Sequence, residues 1–155
     1  MLNRLFPKQF DNSFQGSRLA IWLLIPILLL RAIIGFNSMA FTRSVAMTAD
    51  GIPLDKFGVD AAQTVIALFA LLGLLIFLFA LLGVVVLIRY RAMIPFMYLV
   101  LLAQQLGNKA LLLVYPVVRS GQTTSGSAVV LVILTLTFLG FVLSLVNTAP
   151  SRAES

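Results

Sequence analysis

The chain contains neither cysteine nor histidine. Disulfide exchange is thereby excluded, and so are metal sites that need thiolate or imidazole ligands. Haem is left without its usual axial His or Cys, and no ordinary hydrolytic triad can form without a His to serve as base. Acids are scarce as well: Asp11, Asp50, Asp55, Asp60 and Glu154 stand against eleven Lys and Arg, for a formal net charge of +6. Charge as a whole is thin, at 10% of residues where an ordinary soluble domain carries about 25%. The basic excess is scattered and no nucleic-acid motif accompanies it, so it points to topology and anionic headgroups, not to nucleic acid.

Apolar residues fill the space left by these absences, making up 61% of the 155. A soluble domain this small has too much surface for its volume to hide so much apolar area. A bilayer removes the difficulty by acting as the apolar solvent. A spanning helix needs about 20 mostly apolar residues to cross roughly 30 Å of hydrocarbon. Four stretches qualify, at about 19–40, 61–88, 93–115 and 127–146. The expected fold is all-α: a four-helix transmembrane bundle over 19–148, a basic and potentially interfacial tail at 1–18, and a short tail at 149–155.

Local signals agree with these spans. Asp60-Ala61-Ala62-Gln63 reads as a capping box at the start of the second. Pro95 sits near the start of the third, where its missing N–H costs little, and Pro116 lies just past its end. A polar turn, Ser120 to Gly126, precedes the fourth, and Pro26 predicts a kink in the first. Gly73, Ala80 and Gly83 on the second span, and Gly140 and Ser144 on the fourth, permit close helix approach. Thr137, Ser144 and Asn147 lie on one side of the fourth span and should face the bundle, while Trp22, Tyr90 and Tyr98 suit the membrane interfaces or their vicinity. In the N-terminal tail, Phe6, Phe10 and Phe14 recur every four residues. That pattern fits either a short helix in the interface or an unstructured tail anchored by three rings.

Orientation follows from Lys and Arg outside the spans. Arg4, Lys8, Arg18, Arg89, Arg91 and Arg152 fall on one side, and Arg43, Lys56 and Arg119 on the other. The excess makes the side of both termini cytoplasmic, an N-in, C-in arrangement with one long outer loop, and compact hairpins of this kind fit a bacterial inner membrane. A cleaved signal peptide is the competing reading, with an apolar run from Leu19 to Leu30 and Ser38-Met39-Ala40 as the cleavage site. Arg31 interrupts that region and the preceding basic segment is long, so an uncleaved first span fits better. The outer loop, about 41–59, contains Asp50, Gly51, Pro53, Asp55 and Gly58, which favour turns. Its Val45, Met47, Ile52, Leu54 and Phe57 predict that it lies against the bundle or dips into the interface.

Arg31 and Lys109 fall inside spans, where charge is costly and marks a functional candidate. At about 1.5 Å per residue, Arg31 lies roughly 18 Å beyond Leu19 and Gln104 roughly 17 Å beyond Met93, so the two should share a depth. Gln104, Gln105, Asn108 and Lys109 form a polar stripe on the third span that should face other helices, since lipid would penalise it. No acid lies inside any span. The expected ligand-binding set is therefore Arg31, Gln104, Gln105, Asn108 and Lys109, with four partners open to the two cations: an outer-side acid (Asp50, Asp55 or Asp60), a lipid phosphate, an anionic ligand or a partner protein. The alternatives are that the cations snorkel to the headgroups and that the amides only join helices. No catalytic residue, metal ligand or cofactor site is expected.

The layout resembles the DoxX-like group of small four-helix bacterial membrane proteins. The likeness is carried by a first helix with Arg31 and Gly35, an outer loop with Gly51-Ile52-Pro53, a Gly-containing second helix and a short basic turn, Arg89-Tyr90-Arg91. The resemblance implies the fold and a setting near quinone-linked and redox complexes, and it assigns no residue a role. Three functions follow as expectations. The first is a non-enzymatic protein holding an anionic lipid or small ligand in an outer-leaflet polar pocket, with membrane lipids as partners. The second is an accessory or assembly subunit, paired with other membrane proteins or with itself. The third is a quinone-linked enzyme or transporter.

Overall fold

The computed structural model describes Asn12, Phe14 and residues 16–117 and 124–146. Four helices in it are long and apolar enough to cross a membrane: Arg18–Ala40, Val59–Arg89, Ile94–Val114 and Thr124–Leu145. They are called here the first to fourth spans. Tyr90 and a single turn of 3-10 helix, Arg91–Met93, separate the second from the third, and Pro95 occupies the first turn of the third as expected. Pro26 lies inside the first span, whose helix runs unbroken through it.

Two boundaries differ from expectation for local reasons. The second span starts at Val59, with Gly58 as an extended N-cap and no side-chain capping bond, so the capping box does not form. Asp60 falls in the first helical turn instead, where its carboxylate meets the positive end of the helix dipole. Thr124, Ser125 and Gly126 belong to the fourth span and not to the turn before it. Ser17 caps the first span by accepting from the Leu19 N–H at 3.3 Å.

The first span is the hub. It runs along the second and also touches the fourth, while the third lies mainly on the fourth and shares a much smaller contact with the second. Glycines set the closest approaches. A Cβ on Gly73 would stand 2.9 Å from the Met39 nitrogen and 3.0 Å from the Gly35 carbonyl oxygen, so these two spans meet backbone to backbone. A Cβ on Gly83 would collide with the Leu28 side chain, and one on Gly140 with the Tyr98 ring. These pairings make neighbouring spans antiparallel. The Ser17 N–H donates to the Leu143 carbonyl at 3.2 Å, so the entrance of the first span and the exit of the fourth lie at the same end. That end is called proximal below, and the end bearing the long loop distal.

The long loop covers the distal ends of the first two spans, as its apolar residues predict. It contains a short helix, Thr42–Thr48, and one 3-10 turn, Leu54–Lys56. Thr42, Ala46, Gly51 and Leu54 are buried, Val45, Met47 and Ile52 are half-buried, and Phe57 is exposed. Gly51 has a φ of 66°, a conformation that costs a non-glycine residue about 1–2 kcal/mol. Most of the apolar core lies proximally, around Leu24, Ile27, Leu28, Tyr98 and Leu101, with Phe14 of the tail against it. Phe6 and Phe10 lie outside the described residues.

Candidate functional site

Helical register carries Arg31 into the bundle. The buried positions of the first span include Ala20, Leu24, Ile27, Arg31, Gly35 and Ser38, at steps of three and four. That spacing keeps one helix face turned to its neighbours. Arg31 therefore stands where a Leu or Ile would ordinarily stand, and only 6% of it is exposed. It does not snorkel to a surface.

Its guanidinium meets an amide at the depth expected from residue counting. Nη2 of Arg31 donates to Oε1 of Gln104 at 2.7 Å. Nη1 is buried and has no hydrogen-bond partner among the described residues. Gln105, the adjacent amide, turns toward the fourth span. Its Nε2 donates to the Leu101 carbonyl at 3.2 Å and to Oγ1 of Thr137 at 3.1 Å. Thr137 is fully buried, and its hydroxyl donates in turn to the Ile133 carbonyl. Arg31, Gln104, Gln105 and Thr137 thus build a polar layer linking the first, third and fourth spans. The two amides play different parts in it, because successive residues point about 100° apart around a helix.

The remaining members of the expected set stand away from this layer. Asn108 is exposed, against the expectation that it faces another helix, and Lys109 is half-buried. Among the outer acids, Asp55 pairs with Arg43 at 3.7 Å with both side chains exposed, and Asp60 is exposed. Asp50 is half-buried, and its backbone N–H donates to the Val45 carbonyl at 3.2 Å. Arg31 thus bonds an amide of its own chain, not one of the acids open to it.

Tyr98, placed by its sequence at an interface or its vicinity, lies toward the proximal end of the third span and turns inward: it is fully buried, and its hydroxyl donates to the Ala20 carbonyl at 2.7 Å. The notch at Gly140 makes room for its ring. A tyrosine three residues after Pro95 looks interfacial by counting alone, and only the neighbouring helix supplies the glycine and the acceptor. Thr137 and Ser144 do face inward as their spacing predicts, while Asn147 lies outside the described residues. The participation of Thr137 in the polar layer had one signal in the sequence, a hydroxyl on the inward stripe of a helix that carries no charge.

No family model matches the chain, and no curated protein or solved structure matches it significantly. The site is accordingly read from its own chemistry.

Proposed function

We propose that this integral membrane protein is a non-enzymatic binder of an anion, a phosphate or carboxylate group, which it takes up at the polar layer headed by Arg31. One observation carries the reading: a buried guanidinium with one amino group bonded to a neutral amide and the other without a partner. A charged donor left unpaired in an apolar interior costs about 1–3 kcal/mol or more. An anionic oxygen would restore that bond and supply a charge-assisted one. No span carries an acid at this depth to take the same place. Gln104 is half-buried, and its side chain is the element that can swing aside to admit the ligand. The excess of Lys and Arg at the proximal end supports a cytoplasmic proximal face, which puts the layer toward the outer leaflet of what we take to be a bacterial inner membrane.

Native mass spectrometry of protein released in a mild detergent tests this, comparing wild type with Arg31→Ala and with Arg31→Met, which keeps the volume. A bound species of defined mass that disappears in both variants is the expected result. A ligand-free chain in all three samples would overturn the proposal. Asn108 supports one other reading, since an exposed amide within a span is costly against lipid unless a further helix covers it. Co-released protein subunits, lost on Asn108→Leu, would favour an accessory-subunit role.

A further inference from the structure

We infer that the distal end of the protein is a raised platform seated on the lipid surface. Phe41 and Tyr115 mark the edge of the hydrocarbon. The long loop and the first turns of the second span stand beyond that edge, among the headgroups and in water. The inference is independent of the anion site.

Helix register fixes the heights. The first and second spans run antiparallel, and their close contacts pair Leu28 with Gly83, Gly35 with Phe77, and Met39 with Gly73. Continuing that register sets Ala40, the last residue of the first span, beside Leu71 or Leu72. The second span nevertheless extends to Val59. Its residues 59–70 therefore rise past the end of the first span, by about 18 Å at about 1.5 Å per residue. The loop climbs with them: its helix Thr42–Thr48 lies on both spans, and Ala46, Gly51 and Leu54 are buried. The third span ends level with the first. Arg31 and Gln104 meet at one depth, and Phe41 and Tyr115 stand ten and eleven residues farther on. Each is the C-cap of its helix. Both are open, Phe41 being 61% and Tyr115 72% exposed.

Charge and thickness put the edge of the hydrocarbon at this level. Arg18 to Phe41 covers about 34 Å and Arg89 to Leu71 about 27 Å, which bracket the roughly 30 Å of a bilayer's apolar layer. From Val65 to Ile88 the second span has no polar side chain. Polar and charged residues resume only above: Asp60, Gln63 and Thr64 on the helix and Arg43, Asp55 and Lys56 on the loop, all exposed. Thr64 lies about 10 Å beyond Leu71, past a headgroup layer about 5–8 Å deep. The alternative is to sink the whole uncharged stretch from Ala61 to Ile88, about 42 Å long, into the apolar layer. That demands a tilt of about 45°, beyond the 0–40° that spanning helices adopt. It would also draw the charged loop into lipid, which penalises it. The two edge residues suit their height. The phenol of Tyr115 can bond headgroups while its ring lies among the chains, and Phe41 offers a purely apolar ring beside it.

Trp22 is the single tryptophan, so a Trp22→Phe background lets one reporter be placed at a time. Phe41→Trp, Tyr115→Trp, Thr64→Trp and Leu82→Trp are each reconstituted, in the full chain, into phosphatidylcholine vesicles brominated near the headgroup or near the chain ends. Phe41→Trp and Tyr115→Trp should lose emission mainly to the shallow bromines, with matching profiles. Leu82→Trp, at a position 51% exposed on the second span, should lose it to the deep ones. Thr64→Trp should be spared by both and quenched by aqueous iodide. If Thr64→Trp responds to bromine as Leu82→Trp does, the second span lies wholly in hydrocarbon and the platform is overturned. If Phe41→Trp and Tyr115→Trp report different depths, or respond to iodide alone, the seating at these residues is overturned. Should a tryptophan variant fail to fold, a charged maleimide on both sides of the membrane gives the same answer. It should modify Thr64→Cys and spare Leu82→Cys, and equal labelling of the two would refute the inference.

Discussion

Replacing Gly35 with alanine tests the crossing that holds the first and second spans together. The added Cβ would lie 2.6 Å from the Phe77 nitrogen and 2.9 Å from the Gly73 carbonyl oxygen. Ordinary contact begins near 3.4 Å, so the two spans must separate there by about 0.8 Å. Both atoms belong to helix backbone, and no side chain can rotate away to absorb the change. A gap of that size forfeits a quarter to a half of the attraction at each affected contact. Overfilling a well-packed site typically costs about 1–3 kcal/mol, and alanine returns about 0.5–1 kcal/mol of helix propensity. The net expectation is a loss of about 1–2 kcal/mol. Gly107→Ala is the control, because a Cβ at that helical position meets nothing within 4 Å. It should gain the propensity term alone, about 0.5–1 kcal/mol. Equilibrium unfolding in mixed micelles, followed by circular dichroism, compares the two. The reasoning fails if Gly35→Ala proves as stable as Gly107→Ala, since the sign of the difference comes from the backbone contact.

Other outcomes can be stated from single contacts. Tyr98→Phe removes the bond to the Ala20 carbonyl and should lower stability by about 1 kcal/mol in the same assay. Gly51→Ala should cost about 1–2 kcal/mol because of the positive φ, and it should show first as faster proteolysis within the loop. Asp55→Asn breaks an exposed ion pair with Arg43 and should shift the unfolding midpoint by no more than the equivalent of about 0.5 kcal/mol. The chain has no cysteine of its own, so Asp55→Cys and Ser151→Cys each introduce a unique label site. A membrane-impermeant maleimide applied to intact cells should modify the first and spare the second. The reverse pattern would invert the orientation drawn from the basic residues.

The polar layer was partly legible in advance. Arg31 and Gln104 could be set at one depth by counting residues from the helix starts, because rise per residue is constant, and they meet at 2.7 Å. The division of work between Gln104 and Gln105 could not be read so easily. It depends on which neighbour each side chain faces, and the sequence holds no record of helix order around the bundle. Asn108 shows the same limit. Its spacing puts it on the inward stripe of the third span, yet it is exposed. For Tyr98 the sequence gives a place near a helix end but not its facing, which a glycine on the neighbouring span settles by making room for the ring.

By itself the sequence determined the class of the protein and the length and placement of its spans. Hydropathy and helical rise act locally, and a bilayer admits few structures that satisfy every backbone polar group. The absence of Cys and His likewise removed thiol, imidazole-metal and triad chemistry without any reference to shape. Only the tertiary structure decided that the first span is the hub, and that Arg31 is enclosed with one amino group unpartnered among the described residues. Those features come from contacts between residues far apart in the chain, such as Gly35 with Gly73 and Tyr98 with Gly140. Such contacts depend on the shapes of two surfaces fitted together, and neither helix encodes that fit alone.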